Sequence, residues 1–521
     1  MSAGTQYNIP ISMTSKSSIL RNIISNWGGF AVNIVIAMAL SPFIVRTLGE
    51  TVYGIWVLIG SLTGYLSILD LGVRTSLVKY ISEYHAKRDF QALNEVFNTS
   101  LLAFLVIGAL TIAVALVLPS LFALLVAEPP LAPEAIRRTI YIVGVNIALA
   151  FPLGLYGGLL SGFQRYDISS AIEIFIAIVK AVATVLLLKT GGGLVALAAI
   201  SLLATIFAST LRMVAAHRLC PALALRMRMA SRASLKKISN YSVFSFLVII
   251  AGRIIFYTDT IVITTFMGVA AVAYFAVAAN LIEYLRKLVK SMTTVFVPAI
   301  SSYKATGQTE KLRQLLFHGT KYTLLITLWV GMIMTAYSRE FFVLWMGPEF
   351  GERSAPVLVI LLLPQILALG MYNFGSALYG LARHRALAFA SMIEAAANLL
   401  LSIVLVKKLG LAGVALGTAI PQFINYVIWL PAYACRILEI SCFEYLRRSV
   451  LPTLWAAIPL CASIVLMKSF LPASSWLGLA ASTAACSTIY YACIWVFLLR
   501  RDLHLFAKPQ PLGNLHRRAM S

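Results

Sequence analysis

The stretch Ala279–Val297 reads ANLIEYLRKLVKSMTTVFV, and its apolar residues indicate a membrane-spanning segment while its charged residues indicate a candidate site. It lies in a run apolar enough to cross a bilayer, yet it carries several charged residues. On a helix its polar residues fall at i, i+3, i+7 and i+10, which places them on one stripe. Charges inside a span are costly unless they face protein, water or a partner, so the stripe is a candidate functional site. The alternative is a segment near the membrane surface whose long side chains reach the headgroups. The stripe residues are Asn280, Glu283, Lys287 and Lys290, with Arg286 beside them.

The rest of the 521-residue chain has the composition of a membrane protein: it is 60% hydrophobic and only 12% charged. Repeated apolar runs of about 20 residues predict an all-α polytopic membrane protein with about 14 transmembrane helices. The predicted spans are 20–46, 51–72, 98–119, 136–159, 168–188, 194–215, 240–267, 270–297, 316–337, 355–379, 387–406, 412–434, 450–468 and 476–499.

The formal net charge of +23 comes mostly from Lys and Arg residues in the short loops between the spans. Cytoplasmic loops are enriched in these residues, so the pattern predicts an orientation in the membrane and not a nucleic-acid partner. With an even number of spans, both termini are expected in the cytoplasm. The six cysteines form no CxxC pair and the six histidines are scattered, so no metal site, cofactor or catalytic residue is predicted.

The chain also contains an internal repeat. SEYHAKRDFQALNEVF, from Ser82, resembles SSYKATGQTEKLRQLLF, from Ser301, and further pairs of segments match in order at a nearly constant offset. Such a series indicates duplication of a six-span unit. The predicted domains are a first six-helix lobe (1–216), a basic cytoplasmic linker (217–239), a second six-helix lobe (240–435), two additional transmembrane helices (436–500) and a basic cytoplasmic tail (501–521).

Two segments near the start of the chain carry a family resemblance: LGETVYGIW with Arg46 at the end of span one, and SILDLGVRTSLVKYISEYHAKRD around the end of span two. With the repeat, they resemble the Wzx-type oligosaccharide and O-antigen flippases. This is the polysaccharide-biosynthesis branch of the multidrug/oligosaccharidyl-lipid/polysaccharide exporter superfamily. The resemblance implies a two-lobed transporter, not an enzyme, that works by alternating access in the bacterial inner membrane.

The same resemblance implies the cargo and the partners. The cargo is an oligosaccharide on a polyprenyl pyrophosphate, moved from the cytoplasmic to the periplasmic leaflet for assembly of lipopolysaccharide or exopolysaccharide. Membrane lipids surround the protein, and a proton or a sodium ion is a candidate coupling partner. A polysaccharide polymerase and glycosyltransferases are candidate protein partners.

A pyrophosphate that leaves water needs guanidinium or ammonium groups along its path. The candidates for binding the pyrophosphate or the glycan are Arg253, Arg286, Lys290 and Asn280. For Arg253, in the interior of span seven, the alternative is a structural ion pair with another span. By the repeat, the stripe corresponds to Ser61–Leu71, which lacks the basic residues. The charge is therefore an addition to the second lobe, which favours a substrate-facing stripe.

A second group of residues is predicted to gate or couple transport: Asp70, Arg74, Asp259 and Glu283. Asp259 either balances Arg253 or carries a coupling proton. Asp70 and Arg74 stand at i, i+4, where a helix would allow a local ion pair, either as a cytoplasmic gate or as a surface pair.

Two other functions stay open. A multidrug or lipid-precursor exporter of the same superfamily would favour acidic groups in its spans, whereas basic groups suit an anionic cargo. A membrane glycan polymerase would need a large outside loop with catalytic residues, and the predicted outside loops are short. The chain also lacks a Walker A sequence, which argues against direct drive by ATP.

Overall fold

The computed structural model describes residues 16–496, except 127–128, 241–242, 294–295, 382 and 472. The predicted basic tail, 501–521, lies outside the described residues. Within them the chain forms helices and no β-strand. In a bilayer the backbone polar groups find no water, and a helix satisfies them within one segment. The prediction of an all-α polytopic membrane protein is confirmed.

Twenty-one α-helices follow one another along the described part of the chain. They are α1 (Lys16–Leu48), α2 (Glu50–Gly64), α3 (Val73–Lys87), α4 (Phe90–Leu125), α5 (Pro133–Gly162), α6 (Tyr166–Lys189), α7 (Leu194–Leu219), α8 (Arg232–Asn240), α9 (Val243–Met267), α10 (Val269–Thr293), α11 (Phe296–Ala305), α12 (Thr309–Ala336), α13 (Ser338–Trp345), α14 (Pro348–Gly370), α15 (Tyr372–Gly380), α16 (His384–Leu409), α17 (Leu411–Phe423), α18 (Leu430–Ile437), α19 (Cys442–Tyr445), α20 (Leu451–Phe470) and α21 (Trp476–Ile494). Short 3₁₀ turns occupy Tyr65–Asp70 and Met227–Met229, and π-helical turns occupy Ile424–Trp429 and Leu446–Val450.

Among the described residues, 13 helical segments are long and apolar enough to cross a membrane. They coincide with all but one of the predicted spans. The exception is the span predicted at 316–337, which forms α12, a helix of 28 residues that is not among the 13. At about 1.5 Å per residue, α12 is nevertheless longer than the hydrocarbon core of about 30 Å.

The end of span two differs from the prediction. Leu71 and Gly72 adopt left-handed backbone conformations, with φ of 50° and 76°, and they separate the 3₁₀ turn ending at Asp70 from α3. An α-helix cannot continue through two such residues. The prediction that Asp70 and Arg74 stand at i, i+4 on one helix is therefore wrong.

The described helices pack into two compact units. The first comprises residues 1–280 and 384–421, and the second comprises residues 281–383 and 422–521. The boundaries fall within α10 and α17, so each of these helices contributes to both units. The two six-helix lobes inferred from the repeat stay a prediction. The compact units reflect which helices are in contact, whereas the lobes were inferred from duplication of the sequence.

In the first unit, helix α3 packs against protein. Its Leu77 and Ile81 are fully buried against Leu93 of α4 and Leu159 of α5. In the second unit, α12 packs with α20 and α21 around buried residues that include Leu325 and Tyr490. The two helices that follow the repeat thus share a core with α12.

Candidate functional site

Asp259 of α9 lies in a polar pocket of the first unit and is only 4% exposed. Its Oδ2 accepts a hydrogen bond from the Thr418 hydroxyl at 2.7 Å. Its Oδ1 accepts from the Asn398 amide and the Ser402 hydroxyl, both at 3.4 Å. No ion pair of Asp259 occurs among the described residues, and its hydrogen-bond partners are neutral. The predicted alternative that Asp259 balances Arg253 is therefore not supported by a contact.

Further oxygen atoms converge on the same pocket. The carbonyl of Val414 accepts from Thr418 at 3.3 Å and from Ser402 at 3.5 Å. Carboxylate, carbonyl and hydroxyl oxygens are ligands for hard cations. A lone buried carboxylate is costly unless it is neutralised. With one acidic side chain, this oxygen cage suits a proton or a small monovalent cation such as sodium.

The helices that form the oxygen cage approach closely because one of them carries a glycine. Gly417 of α17 faces Ser402 of α16, and a Cβ at Gly417 would lie 2.6 Å from the Ser402 backbone nitrogen. Sequence reasoning missed Asn398, Ser402 and Thr418. Their signal was available, since Asn398 and Ser402 recur at i, i+4 inside an apolar span and thus share one helix face.

Arg253 lies six residues before Asp259 on α9 and is half-buried. Its Nη1 donates to the Tyr257 hydroxyl at 3.3 Å. The Tyr257 ring packs on Gly64 of α2 and lies 5.4 Å from the ring of Tyr65. The hydroxyls of Tyr65 and Thr258 are 2.8 Å apart and share a hydrogen bond. Aromatic and hydroxyl contacts thus fix the part of α9 that carries Arg253.

Asp70 and Arg74 lie near this part of the first unit. Asp70 interacts electrostatically with Arg253, and its Oδ1 accepts the backbone N–H of Arg74 at 3.2 Å. The Arg74 guanidinium instead donates to the carbonyl of Ala150 in α5 at 3.4 Å, against Gly154. The structure therefore places Asp70 against the backbone of Arg74 and within the electrostatic influence of Arg253, although not through the helical spacing that the sequence suggested.

Arg212 of α7 is a charged span residue that sequence reasoning missed. Its Nη2 donates to Glu173 of α6 at 3.1 Å, and its Cδ would lie 3.6 Å from a Cβ at Gly157. Gly154 and Gly157 stand three residues apart on α5, so Arg74 and Arg212 lie along one face of that helix. An arginine within the apolar run of predicted span six was the available signal.

The charged stripe of α10 keeps its predicted geometry. In the second unit, Arg286 donates to Glu283 at 3.2 Å, and the two side chains are 27% and 24% exposed. Lys290 is exposed, whereas Leu285 and Val289 on the other side of the helix are buried. The polar residues thus share one accessible face. Asn280, the first stripe residue, is half-buried and is the last residue of this stretch in the first unit.

Comparisons with known proteins agree with this architecture. The chain is 23% identical over 486 residues to EpsK, an uncharacterized membrane protein of Bacillus subtilis, covering 92% of this chain and 94% of EpsK. It is also 23% identical over 451 residues to a Shigella flexneri protein provisionally named an O-antigen transporter, covering 81% of this chain and 100% of the relative. The lipid II flippase MurJ, in an inward closed conformation, has the same fold, with a TM-score of 0.71 at 15% identity over 93% of this chain and 99% of MurJ.

The family assignment rests on a match over the first part of the chain. The family model described as polysaccharide biosynthesis protein matches residues 19–304, which is more than half of the sequence and runs from α1 into α11. These residues include Asp70, Arg74, Arg253 and the α10 stripe. The chain therefore belongs to the polysaccharide biosynthesis protein family.

Proposed function

We propose that this protein is a flippase for an oligosaccharide linked to a polyprenyl pyrophosphate. It moves this cargo from the cytoplasmic to the periplasmic leaflet of a bacterial inner membrane, by alternating access, for assembly of a cell-surface polysaccharide. Family membership and the likeness to a protein named as an O-antigen transporter support this proposal. The observation that carries it is the presence of accessible arginines, Arg253 and Arg286, within membrane-spanning helices.

Flipping changes no covalent bond, so the protein has to stabilise the cargo's charge and does not act as an enzyme. A guanidinium can form two parallel hydrogen bonds with a phosphate, and it stays charged in every environment along the path. Arg253 and Arg286 would bind the pyrophosphate, with Lys290 and Asn280 as further contacts for the pyrophosphate or glycan. Glu283 holds the Arg286 side chain until a phosphate oxygen competes for it.

The oxygen cage around Asp259 would supply the coupling. A proton or sodium ion bound there neutralises the carboxylate and changes how strongly α9 is held to α16 and α17. Because Arg253 belongs to the same helix, occupancy of the cage can bias the position of the proposed pyrophosphate contact. Asp70 and Arg74 act as gating residues at the predicted inner end of span two.

The orientation follows from the basic loops, with both termini in the cytoplasm. In this arrangement glycosyltransferases complete the lipid-linked oligosaccharide on the cytoplasmic side. A polymerase would consume it on the periplasmic side, which makes both kinds of enzyme candidate partners.

The decisive experiment is deletion of the gene in its native host, followed by analysis of polyprenyl-linked glycan. We expect the glycan to accumulate in the cytoplasmic leaflet and the surface polysaccharide to be lost. Wild-type protein should restore both, whereas Arg253→Ala and Arg286→Ala should not, although both variants insert at normal levels. Arg137→Ala is the matched control, because this exposed arginine pairs with Glu134 at the start of α5.

Two results would contradict the proposal. An unchanged distribution of glycan between the leaflets in the deletion strain would exclude a flippase. If the strain instead became sensitive to cationic drugs with its surface polysaccharide intact, the protein would be a multidrug exporter.

A further inference from the structure

The linker between α7 and α9 is held along α4 by two asparagine side chains. The Asn94 amide donates to the carbonyl of Ala222 at 2.9 Å and accepts the N–H of Ala224 at 2.8 Å. Asn98, one helical turn later, donates to the carbonyl of Ala224 at 2.8 Å and accepts the N–H of Arg226 at 2.9 Å. Each amide thus pairs with the linker backbone through both its donor and its acceptor, as a neighbouring β-strand would.

Three further hydrogen bonds fix the rest of the linker. Glu95 of α4 accepts hydrogen bonds from the hydroxyls of Ser231 and Ser234. The Ser76 hydroxyl of α3 donates to the carbonyl of Ile238, near the end of α8, at 3.1 Å. Side chains of two helices therefore clamp the linker from residue 222 to residue 238, all within the first unit.

The clamped linker presents large apolar side chains to its surroundings. Leu225, Met227 and Leu235 are 51%, 49% and 46% exposed. The exposed side chains of Arg226 and Arg228 alternate with the first two of them along the chain. Burying these apolar groups in the first unit would have been favourable, so their exposure indicates an external partner.

The charge of the linker is of one sign only. Residues 217–239 contain no Asp or Glu, and Glu95 of α4, which contacts the linker, is engaged by two serine hydroxyls. The linker is also close to the bilayer at both ends, because one candidate span ends at Leu219 and the next begins at Phe246. The basic residues are Arg218, Arg226, Arg228, Arg232, Lys236 and Lys237.

We infer that the clamped linker is a binding surface for anionic phospholipid headgroups, with Arg226 and Arg228 on the phosphates and Leu225, Met227 and Leu235 in the acyl boundary. Alternating basic and apolar side chains suit this interface better than they suit nucleic acid, which offers no apolar layer. The clamp matters because a preorganised surface loses little conformational entropy when it binds a lipid. The inference does not depend on the cargo of the transporter.

The test uses the full-length protein in detergent, titrated with phosphatidylglycerol or phosphatidylcholine and followed by native mass spectrometry. The wild type should prefer phosphatidylglycerol. Each basic residue near an anionic surface contributes about fivefold in affinity, so Arg226→Gln/Arg228→Gln should weaken phosphatidylglycerol binding on the order of 20-fold. Binding of phosphatidylcholine should not change.

Two further variants keep the test decisive. Arg137→Gln/Arg138→Gln removes the same charge elsewhere, and it should have little effect because both arginines pair with Glu134. Asn98→Ala keeps every arginine but breaks the clamp, and it should lower the preference severalfold without unfolding the protein, as size-exclusion chromatography will show. The inference would be overturned if both double variants lost phosphatidylglycerol binding equally. It would also be overturned if Arg226→Gln/Arg228→Gln kept the wild-type preference for phosphatidylglycerol over phosphatidylcholine.

Discussion

Asp259 is a buried acidic residue, and its surroundings indicate how its charge is neutralised. A carboxylate that is 4% exposed and held by neutral donors is costly as an unpaired charge. A bound proton or cation removes that cost. The sequence predicted Asp259 as a coupling residue but not its partners, because Asp259, Asn398 and Thr418 lie on three helices far apart in sequence, and sequence spacing does not reveal their contact.

The Asp259→Asn variant tests whether the oxygen cage binds a sodium ion. If the cage binds sodium in the folded state only, replacing choline by sodium at constant ionic strength should raise the melting temperature of the purified protein. The gain corresponds to about 2.7 kcal/mol at a sodium concentration 100 times the Kd. Asp259→Asn should abolish this response, because it removes the charge while keeping the side chain's size.

Thr265→Val is the matched control, since that hydroxyl donates within its own helix, to the Ile261 carbonyl. A sodium response that persists in Asp259→Asn would place the cation elsewhere. A wild type without any sodium response would leave a proton as the coupling ion, in which case transport should depend on pH in the wild type and not in Asp259→Asn.

Helix α2 approaches the start of α10 very closely. Gly54 faces the carbonyl of Val269, and a Cβ at Gly54 would overlap that oxygen. Next to it, the Tyr274 hydroxyl donates a hydrogen bond to Glu50. Neither feature was predicted, because hydropathy patterns report which face of a helix is apolar and not how near its neighbour comes.

Gly54→Ala is expected to destabilise this packed arrangement. The added methyl group meets backbone, which cannot rotate away, so the cost should be about 1–3 kcal/mol as a loss of thermal stability. Gly60→Ala on the same helix is the matched control. Nothing lies within 4 Å of its new Cβ, and alanine is favoured over glycine in a helix by about 1 kcal/mol. Equal melting temperatures of the two variants would argue against the close α2–α10 contact.

Hydropathy alone predicted the fold class and nearly every span of the molecule. Within the site it predicted the α10 stripe and singled out Asp70, Arg74, Arg253 and Asp259, because a charge in an apolar run stands out. It could not predict which of them meet. The left-handed Leu71 and Gly72 redirect the chain between Asp70 and Arg74, and such a turn leaves little trace in a pattern of apolar residues.

Helix α12 decides on which sides of the membrane the termini lie. The sequence predicted a span at 316–337, but polar residues such as Lys321 and Thr327 lower the mean hydropathy of α12, which is not among the 13 helical segments. These two residues face protein: Lys321 is 8% exposed, and Thr327 donates to the carbonyl of Ile366 in α14 at 2.9 Å. Leu325 accepts a hydrogen bond from Tyr490 of α21 at 2.8 Å. Since α14 and α21 are membrane-spanning candidates, a helix of this length that is hydrogen-bonded to both near its middle should cross the membrane as well.

We therefore predict that α12 spans the membrane, which gives an even number of spans and both termini on one side. Single cysteines replacing Lys311 and Arg339, exposed residues near the two ends of α12, test this in the full-length chain with the exposed Cys442 and Cys461 changed to serine. A membrane-impermeant maleimide applied to spheroplasts should label Arg339→Cys and spare Lys311→Cys until the membrane is permeabilised. Labelling of both from outside, or of neither, would mean that α12 does not cross and that the termini lie on opposite sides.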